Sequence, residues 1–337
     1  MAIIDVRNVS KEFRIHKRAP GIMASVRSLF WREVEVKKAV CDISFQLERG
    51  ELVGYIGPNG AGKSTTIKML CGILVPTSGS IIVQDRIPHR QRKENARHIG
   101  VVFGQRSQLY WDLPVIETFD LYQKMYDVDK SRFKRNVDFY TELLDLGEFL
   151  RQPTRQLSLG QKMRANLAIS LLHDPDILYL DEPTIGLDVV AKSRIRRFVR
   201  EINRERGTTV ILTTHDMDDI ESICDRLVMI DHGRLLYDGS LPNFKNQFGA
   251  GHTMMVEFVQ EDVHITHPCL RVVREEGPRV WFAFRREEIS PADAASFIIR
   301  GHDIRDLAIK EPEIEDIVRE CYERNSPATT HLESRRG

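Results

Sequence analysis

Apolar runs with the length of buried strands alternate with stretches of helical pattern over the first 245 residues of the chain. The strand-like runs lie at residues 52–56, 99–103, 177–180 and 209–213. The longest helical stretch between them covers residues 189–206 and ends at Gly207. Strands that alternate with helices in this way predict an α/β domain with a mainly parallel sheet.

Other regions depart from this alternation. Residues 105–175 hold helical stretches inserted between two sheet strands, which predicts a helical subdomain. Residues 250–324 hold three strand-like and two helical stretches, which predict a small α+β domain. The polar residues 325–337 predict a disordered tail.

The segment of residues 14–38 forms a basic insertion in the first domain, with seven Lys and Arg against two Glu and hence a net charge of +5. One apolar face at helical spacing comprises Ile22, Met23, Val26, Leu29 and Phe30. Two interpretations are open. The helix either packs on its own domain with a solvated basic side, or lies at the cytoplasmic membrane surface against anionic headgroups.

Composition narrows the functional classes. A length of 337 residues predicts about two domains, and the 49 basic residues cancel the 49 acidic ones, so no global charge favours nucleic acid or membrane. The five cysteines are scattered without metal-like spacing and are expected to be reduced intracellular thiols. We expect no signal peptide and no membrane span, and hence a soluble protein or one peripheral to a membrane.

A glycine-rich turn follows the run at residues 52–56 and opens into a helix. It matches the G-x-x-x-x-G-K-[ST] spacing of a phosphate loop (Walker A) and consists of Gly57, Pro58, Asn59, Gly60, Ala61, Gly62, Lys63, Ser64 and Thr65. Glycines let the backbone N–H groups approach phosphate, and the helix directs its positive dipole end at the same anion. We expect Lys63 to reach the β- and γ-phosphates and Ser64 to ligate Mg²⁺. The turn predicts binding of a nucleoside triphosphate.

A pair of acids supplies the second element that such a site needs. Asp181 and Glu182 follow the apolar residues 177–180, which places them at the carboxyl end of a central strand. We expect Asp181 to lie beside the Mg²⁺ and Glu182 to polarise the water that attacks the γ-phosphate.

Taken together, the ordered motifs resemble those of the ATP-binding subunits of ABC transporters. The motifs are residues 57–65, Gln105, residues 157–161, residues 180–183, residues 186–188 and His215. The resemblance covers about residues 1–245. It implies a P-loop NTPase domain of the ABC ATPase type with a helical subdomain, and hydrolysis of ATP with Mg²⁺.

The resemblance also assigns roles. It implies that two such domains close head to tail around two ATP, each ATP lying between the phosphate loop of one copy and Ser158, Leu159, Gly160 and Gln161 of the other. Gln105 would sense Mg²⁺ and the attacking water, and His215 would contact the γ-phosphate. Asp188 would touch the partner's phosphate loop, and Phe13 is the candidate for stacking on adenine.

Leu159 departs from the pattern of most of the family, which has glycine at this position. The backbone N–H survives the change, so we expect binding to persist with a less free loop. Some exporter ATPases resemble this chain there, so Leu159 is interpreted as the mark of a subgroup.

Three functions compete. The region ending at residues 311–318 resembles the extension on ATPases paired with ABC-2-type permeases, and the insertion at residues 14–38 is similar to that of polysaccharide-exporting relatives, so we favour an exporter subunit. It would pair with itself or a related ATPase at the cytoplasmic face of the membrane. An importer ATPase would share these motifs. A soluble ABC ATPase acting on nucleic acid or ribosomes is disfavoured because the chain has one nucleotide domain, no heptad arm and no Cys pair.

An aromatic cluster follows Gln105 in a loop that is otherwise polar. Tyr110, Trp111 and Leu113 are large apolar groups of the kind that anchor interfaces, which predicts that residues 105–114 form the edge of the groove that receives a permease. The alternative is that Trp111 covers the core of the helical subdomain.

Overall fold

The computed structural model describes residues 2–16, 34–104, 106–249, 251–260, 263, 265–285, 287–310 and 313–325. The chain divides into two compact units, Met1–Leu241 and Pro242–Gly337. The division lies a few residues before the boundary near residue 245 expected from the sequence. Asn325, the first residue of the expected tail, ends the last helix, and residues 326–337 fall outside the described residues.

The described part of the first unit holds nine strands. They are β1 (Ile4–His16), β2 (Val34–Leu47), β3 (Leu52–Ile56), β4 (Ser78–Val83), β5 (Ile99–Phe103), β6 (Ile177–Asp181), β7 (Thr209–Thr213), β8 (Arg226–Asp231) and β9 (Arg234–Ser240). Its helices are α1 (Lys63–Leu70), α2 (Arg92–Ala96), α3 (Val115–Met125), α4 (Lys130–Leu143), α5 (Leu159–Leu171), α6 (Val189–Arg206) and α7 (Met217–Ile223).

A six-stranded sheet of order β5-β6-β7-β3-β8-β9 forms the centre of this unit. Strands β5, β6, β7, β3 and β8 run parallel, and β9 is antiparallel to β8. Every residue of β3 and β7 is buried, as continuous apolar runs in a parallel sheet require. The predicted α/β P-loop NTPase fold is confirmed. Because β6, β7 and β3 are neighbours, the loops that follow them meet at one edge of the sheet.

An antiparallel sheet of order β2-β1-β4 completes the first unit. The β1–β2 pair is longer than its hydrophobic pattern indicates, since strand extends to His16 and resumes at Val34. Three register shifts between Val6 and Glu12 interrupt the two-residue alternation of apolar and polar side chains, so the hydrophobic pattern does not indicate the full strand. Residues 14–16 and 34–38 of the expected insertion are therefore strand. The apolar stripe from Ile22 to Phe30 lies outside the described residues.

The helical subdomain consists of α3, α4 and α5, with a 3-10 turn at Thr154–Gln156. Asp129 caps α4, its side chain accepting from the N–H groups of Ser131 and Arg132. Phe119, Tyr140 and Phe149 are among its fully buried side chains.

The second unit is a four-stranded antiparallel sheet of order β11-β12-β10-β13 with helices. Its elements are α8 (Leu241–Phe248), β10 (His252–Phe258), β11 (Arg271–Glu276), β12 (Arg279–Phe284), α9 (Pro291–Gly301), β13 (Ile304–Lys310) and α10 (Ile314–Asn325). The expected α+β class is confirmed, but β11 was missed because all six of its residues are exposed and show no alternation. Across the described parts of both units, no helix combines the length and the apolar character that crossing a membrane requires.

Candidate active site

The phosphate loop connects β3 to α1 and is enclosed by neighbouring backbone. A Cβ atom at Gly57 would lie 2.6 Å from the Ile230 carbonyl oxygen, and one at Gly62 would lie 2.5 Å from that of Ala39. Gly62 also has φ +110°, a conformation that L residues rarely adopt. Glycine is therefore required at both positions for the loop to fit between β8 and β2.

Lys63 places a buried cation inside this loop. Its side chain is 6% exposed, and Nζ donates to the carbonyl oxygens of Gly57 at 2.6 Å and Pro58 at 3.3 Å. Burial lowers the pKa of the Lys63 ammonium, although the carboxylates of Glu182 and Asp181 act in the opposite direction. A buried ammonium among backbone groups at a helix N-terminus is complementary to phosphate, so the residues present fit ATP.

Asp181 lies at the carboxyl end of β6 and accepts hydrogen bonds from two hydroxyl groups. Ser64 Oγ donates to Asp181 Oδ1 at 3.3 Å, and Thr213 Oγ1 donates to the same oxygen at 2.6 Å. The structure thus brings together Ser64 and Asp181, the hard oxygen ligands that Mg²⁺ prefers. Within the described ranges no group of three His, Cys, Asp or Glu could hold a metal ion unaided. Two protein ligands are typical of Mg²⁺ that is bound together with a nucleotide.

Glu182 and His215 form the second close pair of the site. His215 Nε2 lies 2.9 Å from Glu182 Oε1, and both side chains are partly exposed. Glu182 has φ +57°, and its N–H donates to the Thr213 carbonyl at 2.9 Å. A non-glycine residue in the left-handed region costs about 1–3 kcal/mol and persists only where its surroundings hold it.

Gly104 approaches the Glu182 backbone more closely than any other residue type could. A Cβ atom there would lie 2.3 Å from the Glu182 carbonyl oxygen, and the Gly104 N–H donates to the Asp181 carbonyl at 2.7 Å. Gln105, expected to act on Mg²⁺ and water, lies outside the described residues. Its predicted role stays a prediction. Its neighbour Gly104 is hydrogen-bonded to the backbone of the acid pair.

Ser158 to Gln161 and the segment before α6 form a second group. Ser158 is the N-cap of α5, with a reciprocal bond pair in which Gln161 N–H donates to Ser158 Oγ and Ser158 N–H to Gln161 Oε1. A Cβ atom at Gly186 would lie 3.2 Å from Leu159 Cδ2, so the two segments are in contact. Asp188 caps α6 by accepting from the Ala191 N–H at 2.8 Å. The expected roles of these residues across a dimer stay predictions.

Phe13 lies on β1 opposite Lys37 of β2. The Lys11 ammonium lies 5.2 Å from the centroid of the Phe13 ring and donates to the Val75 carbonyl at 2.8 Å. Stacking of Phe13 on adenine remains a prediction.

Sequence reasoning missed a buried polar cluster on the loops that carry Glu182 and His215. Asp219 of α7 is fully buried and bonds Thr184, Thr214 and Arg196. Threonine and aspartate near strand ends are common in loops, and the partners are far apart in sequence, so no local pattern indicated this cluster.

Comparison with known proteins decides the family. The model of the ABC transporter family matches residues 40–185. The ABC transporter ATP-binding protein NatA of Bacillus subtilis is 32% identical over 212 residues, which cover 63% of this chain and 86% of NatA. The chain belongs to the ATP-binding subunits of ABC transporters. As a member of this family it binds ATP and is an ATP hydrolase, which confirms the expected ATP binding and hydrolysis.

The names of two further relatives of this ABC subunit state functions. The linearmycin resistance ATP-binding protein LnrL of B. subtilis is 36% identical, with 64% of this chain and 68% of LnrL covered. The probable multidrug ABC transporter ATP-binding protein YbhF of Escherichia coli is 39% identical over 61% of this chain. The chain spans only 35% of the longer YbhF.

Solved structures share the fold of this ABC subunit. The cbiO1 protein of Clostridium perfringens, described as part of the ABC transporter complex cbiONQ, superposes with a TM-score of 0.58 at 28% identity, covering 71% of this chain and 88% of cbiO1. The ATP-binding cassette MJ0796, in a dimeric post-hydrolysis state bound to ADP and Pi, superposes with a TM-score of 0.59 over 71% of this chain and 98% of its own. At 23% identity that likeness shows the fold alone.

Proposed function

We propose that this ABC subunit hydrolyses ATP at the cytoplasmic face of the membrane to drive export through separate permease subunits. The observation that carries the proposal is the meeting of Lys63, Asp181, Glu182 and His215 where the loops after β3, β6 and β7 converge. A buried cation for phosphate, an acid for metal and a paired acid for water are the parts that phosphoryl transfer to water needs.

The chemical step follows from these residues. Glu182 accepts a proton from water as the water oxygen forms a bond to the γ-phosphorus, and the bond from that phosphorus to the oxygen of ADP breaks. His215 orients the γ-phosphate, and Lys63 holds the β- and γ-oxygens. Mg²⁺, held by Ser64, Asp181 and Gln105, would neutralise charge on the phosphate oxygens when bound.

Exposed apolar residues on the second group support a dimer with another copy or a related subunit. Val189 is 81% exposed at the start of α6, and Val190, Ile185 and Leu159 are exposed beside it. These side chains adjoin Ser158, which is expected to meet the partner's nucleotide, and Asp188, which is expected to touch the partner's phosphate loop. Such a patch at a polar loop is typical of an interaction surface. In the proposed dimer it is covered by the phosphate-loop face of the partner.

The loop before α3 supports docking of a permease. Trp111 is 62% exposed and Tyr110 is also exposed, which favours an interface role for Trp111 over a core role. The Lys162 ammonium lies 5.0 Å from the Trp111 ring centroid, so the ring is held in place at the surface. We propose that the permease is of the ABC-2 type.

Export is supported by the names of two relatives, a linearmycin resistance protein and a probable multidrug transporter subunit. The genetic neighbourhood discriminates between export and import: a six-helix permease without a solute-binding protein supports export, whereas a solute-binding protein beside it supports import.

The basic segment of residues 14–38 would contact anionic lipid or an acidic part of the permease. Each Lys or Arg near an anionic surface contributes about 1 kcal/mol. Flotation with anionic and neutral vesicles tests this, since charge reversal at Arg27, Arg32, Lys37 and Lys38 should remove any anionic preference. Equal flotation of wild type with both vesicles, together with unchanged assembly of the transporter complex after charge reversal, would assign the segment to its own domain.

Complementation between two inactive variants tests the head-to-tail arrangement. Lys63→Ala disables the phosphate loop and Ser158→Arg disables the opposing segment, so neither homodimer retains an intact site. A mixed dimer retains one, formed by the wild-type Lys63 of one chain and the wild-type Ser158 of the other. We expect mixing to restore ATP hydrolysis. Dimers that form from both variants but hydrolyse no ATP would contradict the shared site.

A further inference from the structure

Asp219 accepts hydrogen bonds from three side chains in the interior of the first unit. Thr184 Oγ1 and Thr214 Oγ1 donate to Oδ2, the latter at 3.1 Å, and Arg196 Nε donates to Oδ1 at 2.5 Å. The Asp219 carboxylate is fully buried. A buried charge is tolerated only when it is paired and hydrogen-bonded, so the three donors are needed to compensate the buried Asp219 carboxylate.

The donors come from the loops that carry the catalytic pair. Thr184 follows Glu182 by two residues, and Thr214 immediately precedes His215. Thr184 and Thr214 are themselves buried, each 3% exposed, so their hydroxyls are held against Asp219 out of solvent. One carboxylate oxygen therefore ties together the loop after β6 and the loop after β7.

Helix α6 bonds the same loop at Asp216, the residue that follows His215. Lys192 Nζ lies 2.6 Å from Asp216 Oδ2, and Arg196 Nη2 lies 3.2 Å from Asp216 Oδ1. Burial opposes the charged form of Asp216, but the Lys192 hydrogen bond and the charges of Lys192 and Arg196 outweigh it and lower its pKa. His215 is thus flanked by Thr214, which bonds the buried Asp219, and by Asp216, which bonds two side chains of α6.

We propose that Asp219 is a positioning residue for ATP hydrolysis, which holds the loops of Glu182 and His215 in register so that their side chains meet at 2.9 Å. The proposal rests on the roles of Glu182 and His215 given under the proposed function. It accounts for how Glu182 keeps its left-handed backbone, since the bond from Thr184 restrains the residues that follow it. Asp219 itself does not touch substrate.

Asp219→Asn is the primary variant, because it keeps the size of the side chain but removes the charge and one acceptor. We expect kcat for ATP hydrolysis to fall on the order of 10²-fold, the cost of a misplacement near 1 Å, while KM changes by about twofold or less. Asp218→Asn is the matched control. Its side chain is 77% exposed and lies 3.8 Å from Arg196 Nη2, so we expect wild-type kinetics.

A double-mutant cycle separates positioning from general destabilisation. If Asp219 acts through Glu182, adding Asp219→Asn to Glu182→Gln changes the single-turnover rate by less than about threefold. A further drop on the order of 10²-fold in that background would overturn the proposal. If Asp219→Asn fails to fold, Thr184→Val replaces it, since valine keeps the shape and removes only the hydroxyl. A lower kcat at unchanged KM in that variant supports the proposal.

Failure of the proposed role of Glu182 and failure of the proposed role of Asp219 give different results. Wild-type hydrolysis by Glu182→Gln would remove the proposed role of Glu182 and, with it, the basis of this inference. Loss of hydrolysis in Glu182→Gln together with wild-type kcat in both Asp219→Asn and Thr184→Val would overturn the inference alone.

Discussion

His215 Nε2 lies 2.9 Å from Glu182 Oε1, and this contact joins the loop after β7 to the loop after β6. The two residues stand 33 positions apart in the chain, so the contact depends on the pairing of β6 with β7 in parallel register from Ile177↔Thr209 to Asp181↔Thr213. A slip of that register by one residue would separate them. The contact between Glu182 and His215 is therefore a product of the sheet.

Lys63→Ala is expected to weaken ATP binding by roughly 10- to 100-fold, because a charge-assisted contact to phosphate contributes about 1.5–3 kcal/mol. Titration of a fluorescent ATP analogue measures the change. Lys68→Ala, in the last turn of the same helix, is the matched control and should bind as wild type. Equal affinity in Lys63→Ala and wild type would show that the buried ammonium does not face the nucleotide.

Gly104→Ala is expected to impair hydrolysis and to lower the free energy of unfolding by about 1–3 kcal/mol, the usual cost of forcing a side chain into a filled space. The added Cβ would displace the Glu182 carbonyl, 2.3 Å away. Gly147→Ala is the control, since no atom lies within 4 Å of a Cβ at that position. Denaturant unfolding and steady-state ATPase assays are run on both variants. Equal stability and equal ATPase rates in Gly104→Ala and Gly147→Ala would contradict the prediction.

Trp111→Ala is expected to leave the melting temperature and ATP affinity close to wild type and to abolish co-purification with the permease. The ring is exposed, so its removal uncovers little core. Phe297→Ala, an exposed aromatic residue of the second unit, is the control and should retain the permease. A collapse of thermal stability would instead assign Trp111 to the core of the helical subdomain.

His173 is expected to make the first unit less stable in mild acid. Burial lowers its pKa from 6.5 to about 4, and Nε2 lies 3.0 Å from the Ile99 carbonyl in a stack with Tyr126. Between these two values the unfolded chain binds the proton and the folded chain does not, so stability falls as pH falls from about 6.5 to about 4. The loss attributable to His173 is at most about 3 kcal/mol.

The variant His173→Gln isolates that contribution, because all other titratable groups are the same in the variant and in wild type. Denaturant unfolding at pH 7 and pH 4.5 should show a smaller loss for the variant than for wild type. Equal losses would mean that His173 is protonated in the folded state.

Local chemistry explains which features could be predicted from sequence. The phosphate loop and the cap at Ser158 are recognisable because their glycines, lysine and serine act within a few residues of one another. The strand ends at His16 and Val34 were missed because three register shifts erase the alternation, and β11 because an exposed edge strand has none. The cluster around Asp219 was missed because its partners lie 5, 23 and 35 residues away. Bonds at such separations are specified by tertiary packing.

The most direct test of the account is the behaviour of Glu182→Gln with ATP and Mg²⁺. In the proposed mechanism Glu182 acts on water and not on the ground-state phosphates, so we expect the variant to bind ATP as wild type does and to lose hydrolysis by about 10²–10⁴-fold. On gel filtration with light scattering it should accumulate as a dimer holding two unhydrolysed ATP, while the surface control Glu117→Gln should turn over normally. Wild-type hydrolysis by Glu182→Gln, with no ATP-bound dimer, would contradict the central claim.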